Sequence, residues 1–332
     1  MQGVAALADR HDPRISLPLT RQMSISSRAL TIGLALSLLA ASRAVAADVV
    51  IVRTSDAEPY TQADAALRET LGAQKYNIKS MLAREASDKG IAASIGKPDM
   101  VIAIGTASAR WLHKQLPADV KLTYCMVSNP AESTLQQGQA CAGITTDVPL
   151  TDQFKLVAEA LPRAKTVGLM YRSDTPEGKA SLADLQKALP TGWHVEAVAV
   201  NDYPTVAAAI EALMQRPIDI AWTTADQKLY DTACVRSLLL SGVRSKIPVW
   251  GYSLPLVRAG ALLGVGVEPA AQGRQAADLV IKTMKDPGGF KMQSIGPDRF
   301  QIGVNLIVAE QIGVDIPDSV SHRATFLFKP EK

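Results

Sequence analysis

Short runs of β-branched and apolar residues alternate with helix-period segments along this chain, and the alternation is run through twice. The first round reads as strands at 49–52, 77–81, 100–104, 122–127 and 142–145. Helices at 107–116 and 152–161 fit between and after them, the second with Phe154, Leu156, Val157 and Leu161 on one face. A second round follows, with strands at 166–170, 194–200, 218–222 and 247–250. Its helices carry the stripes Leu182/Leu185/Leu189 and Val206/Ile210/Leu213, then the span 229–241. Strands that are apolar throughout, rather than alternating, belong to parallel sheets covered on both faces. The expected fold is therefore α/β, two Rossmann-like lobes with parallel sheets. Residues 149–151 join the two rounds, 262–267 return as a strand, 272–284 form a helix, and a C-terminal strand spans 300–304. A multi-strand hinge follows from those returns. The expected partition is 47–146 plus about 255–290 in lobe 1 and 147–254 in lobe 2, with 291–332 a C-terminal strand and helix crossing back over the hinge.

The first 46 residues read as a secretory signal peptide. Arg21 and Arg28 precede the apolar run Ala29 to Ala41, and Ala44-Val45-Ala46 offers a small-x-small cleavage site. The run is shorter than the ~20 residues a membrane span needs. Met23 is an alternative start, since the mixed charges before it add nothing to a leader. Five of the 35 Lys and Arg and two of the 32 Asp and Glu lie in this segment, so 30 of each sign remain beyond it. That balance argues against nucleic acid or an anionic membrane as a partner. An exported, periplasmic, monomeric protein that is not itself membrane-embedded is expected, and its remaining length suits two domains.

Three cysteines would enter an oxidising compartment. Cys125 and Cys141, each on or beside a strand, form the candidate disulfide; Cys234 reads as a buried thiol. No Cys or His spacing suggests a metal, and no lipidation cysteine follows the leader. No cofactor is expected.

Ligands of open parallel sheets bind beyond the carboxyl ends of the strands. There the chain places Ser55, Thr106, Ser108, Ser128, Asn129, Tyr171, Ser173, Thr224, Asp226, Tyr252 and Ser253. Thr106 and Ser108 open a helix, where hydroxyls either cap backbone N–H groups or help the helix end receive a ligand carboxylate. Tyr171 and Tyr252 can stack on a flat ligand or simply pack, and Ser128-Asn129-Pro130 can be a turn. Catalytic signatures fail. Gly251-Tyr252-Ser253-Leu254-Pro255 lacks the final glycine of a nucleophile elbow, Gly264-Val265-Gly266 lacks a third glycine, and His113, His194 and His322 are scattered.

Five segments carry a resemblance to a known family: 99–109 (DMVIAIGTASA), Val127-Ser128-Asn129-Pro130, 163–173 (RAKTVGLMYRS), 247–278 with Pro248-Val249-Trp250-Gly251-Tyr252, and the tail through Ile302-Gly303-Val304-Asn305, 309–314 and Ile316-Pro317. Here the chain resembles the ABC-transporter substrate-binding proteins whose best understood members take up tryptophan and related aromatic amino acids. That resemblance implies a type I periplasmic-binding fold, a Venus flytrap that closes on a small molecule and docks on a membrane permease. It also implies that Asp226 matches the acidic residue set against a ligand amino group, an ordinary helix cap being the other reading. Asn129 stands where the family often carries Asp. A ligand sensor presenting its closed form to a membrane receptor shares every one of these features, and an unrecognised periplasmic hydrolase is the more distant alternative.

Overall fold

The computed structural model describes residues 47–130, 134–226 and 228–330, so the expected leader lies outside the described residues. Two sheets organise the chain. The first is parallel throughout and has six strands: β1 (Asp48–Arg53), β2 (Asn77–Leu82), β3 (Met100–Ile104), β4 (Leu122–Val127), β5 (Cys141–Thr145) and β11 (Gln293–Ile295), in the order β11-β5-β4-β3-β1-β2. The second has seven: β6 (Thr166–Tyr171), β7 (His194–Ala199), β8 (Ile220–Trp222), β9 (Val249–Gly251), β10 (Leu263–Gly266), β12 (Gln301–Asn305) and β13 (Phe326–Phe328), in the order β13-β12-β10-β9-β8-β6-β7. Only the β10–β12 pairing is antiparallel.

Every residue of β3 is buried, because helices cover both faces of its sheet. On one face α1 (Glu58–Gly72) and α10 (Pro269–Lys285) bring Ala63, Leu67, Leu71, Ala276, Ala277 and Val280 against Ile51, Ile102 and Ile104. On the other, α4 (Thr106–Gln115) packs Ala109 and Leu112 on Val50, Val101 and Ala103, beside the short helices α2 (Ala83–Asp88) and α3 (Ile91–Ile95). The second sheet is treated alike. α5 (Leu150–Ala160) and α6 (Pro176–Ala188) lie on one side; α7 (Val206–Met214), α8 (Thr232–Ser245) and α9 (Leu254–Ala259) lie on the other. α11 (Leu306–Ile312) and α12 (Asp318–Ser321) complete the C-terminal end.

Side-chain oxygens set several helix starts. Thr175, Thr205, Asp231 and Asn305 each accept the N–H three positions on, satisfying a donor that the first turn leaves free. The third helix of the second round therefore begins at Thr232, not near Leu229 as the apolar pattern suggests, because Asp231 is the residue that caps it.

The chain passes between the sheets three times, from β5 to α5, from β10 to α10 and from β11 to β12. This corrects the expected partition. Residues 255–266 join the second lobe, since Leu263 and Gly264 pair with Trp250 and Gly251, and all of β10 pairs with β12. The first lobe regains the chain only with α10. A four-residue strand suits either sheet equally well in sequence, so its pairing decides.

The disulfide is also corrected. Cys125, Cys141 and Cys234 are free and buried. Cys141 pairs in register with Leu122, three residues from Cys125, and the two thiols belong to cores on opposite faces of the sheet. Burial drives the Cys125 thiol up to about 12 and the Cys141 and Cys234 thiols up to about 11, which suppresses the reactive thiolate. Alkylation of unreduced native protein at pH 8 is expected to leave all three unmodified, and unfolding to release three adducts. A mass two units below the reduced chain would instead mean that a bridge exists.

Among the described residues, no helix is long and apolar enough to cross a membrane, and no His, Cys, Asp and Glu group is arranged to hold a metal ion.

Candidate functional site

A cavity of about 450 Å³ opens between the lobes. The first lobe contributes Pro59 at the start of α1, and Met126 and Ser128 at the end of β4. The second contributes Trp222 to Ala225 after β8, then Tyr252 to Pro255 after β9. Two crossings supply Thr146, Asp147 and Val148 from one and Val265 to Val267 and Pro269 from the other, and the first turn of α5 adds Leu150 and Gln153. The walls are thus strand ends facing each other over the hinge, where an open α/β sheet presents unpaired backbone and side chains to a ligand.

The second-lobe wall is held rigid from beneath. Trp222 and Trp250 are partners on neighbouring strands and stack at 4.7 Å with their planes 10° apart. Phe154 of α5 stacks on Trp222 at the same distance, and Trp193 meets Phe154 edge-on. Stacked rings from α5 and β9 thus hold Trp222 in place at the cavity. Thr223, 1 % exposed, donates its hydroxyl to the Trp250 carbonyl and accepts the Tyr252 N–H, so it pins the two strand ends together. Tyr252 is left half-buried at the surface of this wall, its phenol raised by burial.

At the hinge, β4 ends irregularly. Its pairing with β5 shifts register between Tyr124 and Val127, and Met126 and Asn129 adopt positive φ of 56° and 43°. Gln272, buried in α10, ties this bend to the crossing: it accepts the Met126 N–H and donates to the Thr145 carbonyl. The same bend turns the Asn129 N–H onto Asp147, which accepts it at 2.8 Å. Asp147 meets the water of the cleft, yet protein crowds around its carboxyl. That desolvation pushes its pKa above the usual carboxylate range, and the Asn129 N–H draws it partly back.

Of the residues expected from sequence, Ser128, Thr224, Tyr252 and Ser253 meet at this cavity. Asn129 stands behind it, through its backbone contact to Asp147. The others do not line it. Ser108 is fully buried, donating to the Ile104 and Gly105 carbonyls and receiving the Thr54 hydroxyl, so its side chain is consumed inside the lobe. Thr106 is the first residue of α4, with Gly105 at the cap. Ser55 accepts the Ala57 N–H in its own turn, Tyr171 packs against the second-lobe core, and the Ser173 N–H goes to Asn201.

Asp226 is neither a cap for α8 nor open to a ligand amine. Its Oδ2 takes the Arg172 Nε–H at 2.7 Å and its Oδ1 accepts the Lys228 and Leu229 N–H groups. The pair is mostly buried, and Asp226 in turn raises the Arg172 guanidinium pKa. Its structural role is to fix the loop that follows Thr223, Thr224 and Ala225. Arg274 is engaged with Glu268, at 3.2 Å, as expected of a surface pair inside one helix start.

The family model described as ABC transporter substrate binding protein matches residues 63–327. The chain belongs to the ABC transporter substrate-binding protein family. Its fold is that of solved members of the type I group. An ABC domain from Streptococcus pneumonia in complex with L-Trp is 17 % identical, with a TM-score of 0.58 over 85 % of this chain and all of that one. A ligand-free, open substrate-binding protein with adhesive properties from Clostridium difficile is 19 % identical, with a TM-score of 0.65 over 86 % and 100 %. A conserved domain protein from Vibrio cholerae is 20 % identical, with a TM-score of 0.57 over 85 % and 99 %. No curated protein matches this substrate-binding protein. Membership implies a small-molecule ligand and a membrane permease as partner, and substrate-binding proteins are not enzymes.

Proposed function

We propose that this substrate-binding protein works in the periplasm, captures a small molecule of amino-acid size in the interlobe cavity, and hands it to an ABC permease. An amino acid, another zwitterion or a heterocycle falls in that range. The observation that carries the reading is that the cavity of about 450 Å³ takes its walls from both lobes and from two of the crossings. A volume of this order suits a small ligand. Rotation of one lobe against the other about the crossings changes the distances across the cavity. A ligand touching Ser128 on one side and Thr224, Tyr252 or Ser253 on the other therefore favours the closed arrangement by its differential contacts.

The test is native mass spectrometry of protein released gently from cells. The wild type is expected to retain an adduct of reproducible mass, and Thr224→Trp, which fills the wall, to lose it. Equal retention by both proteins, or hydrolysis of a model ester by the purified wild type, would overturn the reading.

A further inference from the structure

Among the described residues that line the interlobe cavity, one carries a formal charge, and it is Asp147. The surrounding wall is made of apolar groups, among them Met126, Trp222 and Val265, together with hydroxyls and the Gln153 amide, which donates to the Val148 carbonyl. Other carboxylates close to the strand ends already have cationic partners within their own lobe: Asp226 has Arg172, Glu268 has Arg274, and Asp56 has Arg53. Those three arginines are committed by the same contacts, and no Lys, Arg or His is among the described lining residues. Asp147 instead accepts a single backbone N–H, from Asn129, and it sits on a crossing, where either lobe can bring a ligand against it.

Asp147 keeps contact with water and has no cation beside it, so its charge is open to an arriving partner. A ligand carboxylate would meet no cation here and would lie near a like charge.

We propose that the cavity selects a small molecule that carries a protonated amine on an apolar body and lacks a carboxylate, with Asp147 as the counter-charge. This narrows the capture reading above and rests on it. The ammonium donates to Asp147 in a charge-assisted hydrogen bond, and the apolar body lies against the Tyr252 wall.

The experiment compares wild type and Asp147→Asn by thermal shift and calorimetric titration. The probes are matched triads of amine, α-amino acid and carboxylic acid on the same body: tryptamine, tryptophan and indole-3-acetate; phenethylamine, phenylalanine and phenylacetate; and aliphatic equivalents. At least one amine is expected to bind the wild type tenfold or more tighter than its amino acid and its acid. Asp147→Asn keeps an acceptor for the Asn129 N–H, so it is expected to unfold at the same or a higher temperature without ligand. Its affinity for the amine is expected to fall by about 10- to 100-fold. Preference for the amino acid or the acid, or undiminished amine binding by Asp147→Asn, would overturn the charge assignment and leave the capture function standing. If no member of the panel binds while a native adduct is retained, the amine class is likewise wrong; if no adduct is retained either, both readings fall.

Discussion

Trp222→Ala is expected to cost about 3–5 kcal/mol of folding stability, the range for truncating a large aromatic in a packed interior. Trp222 is 2 % exposed and lies against Phe154 and Trp250, so nothing nearby is placed to collapse into the space it leaves. At about 2–4 °C per kcal/mol for a chain of this size, thermal unfolding drops by roughly 10 °C. The same substitution removes part of the cavity wall, and ligand retention is expected to fall with it. Trp222→Phe keeps an aromatic plane for the stack and is expected to lose less than half as much stability. Equal stability of the alanine variant and the wild type in a denaturant titration would mean that the stack contributes little to the fold.

Gly273→Leu is the second large effect expected. A Cβ at Gly273 would collide with the Ala63 carbonyl oxygen and stand 3.0 and 3.1 Å from the Ala63 carbonyl carbon and Cα, so α1 and α10 meet here without room for a side chain. The obstacle is main chain and has no rotamer to change. The two helices must part, which opens the core of Leu67, Leu71, Ala276 and Val280 and costs about 3 kcal/mol or more. Gly72, in the last turn of the same α1, is the natural control, because a Cβ there meets nothing within 4 Å. Gly72→Ala is expected to be neutral or to gain up to about 1 kcal/mol through helix propensity. A Gly273→Leu midpoint equal to that of Gly72→Ala would refute the close approach.

The repeating units were legible in sequence because each strand is covered on both faces and so reads as an apolar run, as 100–104 does. The site was legible in half. Each candidate loop follows a strand, and sequence shows where strands end but not which strands stand side by side. Ser128, Tyr252 and Ser253 follow β4 and β9, which lie beside the crossing strands β5 and β10, and Thr224 follows β8, the next strand out. Ser55 and Tyr171 follow β1 and β6, three places from a crossing strand, and Thr106 follows β3, which stands as far from β5 as β8 does from β10 yet opens α4 instead of the cavity. That order is set by long-range pairing. Ser108 was misplaced for a local reason, since its hydroxyl found two carbonyls within one turn. Asp226 was misread because Arg172, 54 positions earlier, takes its charge. Asp147 went unnoticed, although an acidic residue just before Val148-Pro149, where the two rounds join, was a usable signal.

The three crossings also dictate an order of assembly. The first lobe begins at β1 but needs α10 to cover the apolar stripe of α1 and β11 to finish its sheet, and both are encoded after almost the whole second lobe. The second lobe in turn waits for β12, which pairs with β10. Neither lobe can therefore be cut out as one continuous stretch, and a chain emerging from its N-terminus holds two half-built sheets until its last few dozen residues appear. Loop-closure entropy makes such late, distant pairings slow. Under the periplasmic role proposed above, this delay would keep the chain open while it is threaded through the membrane.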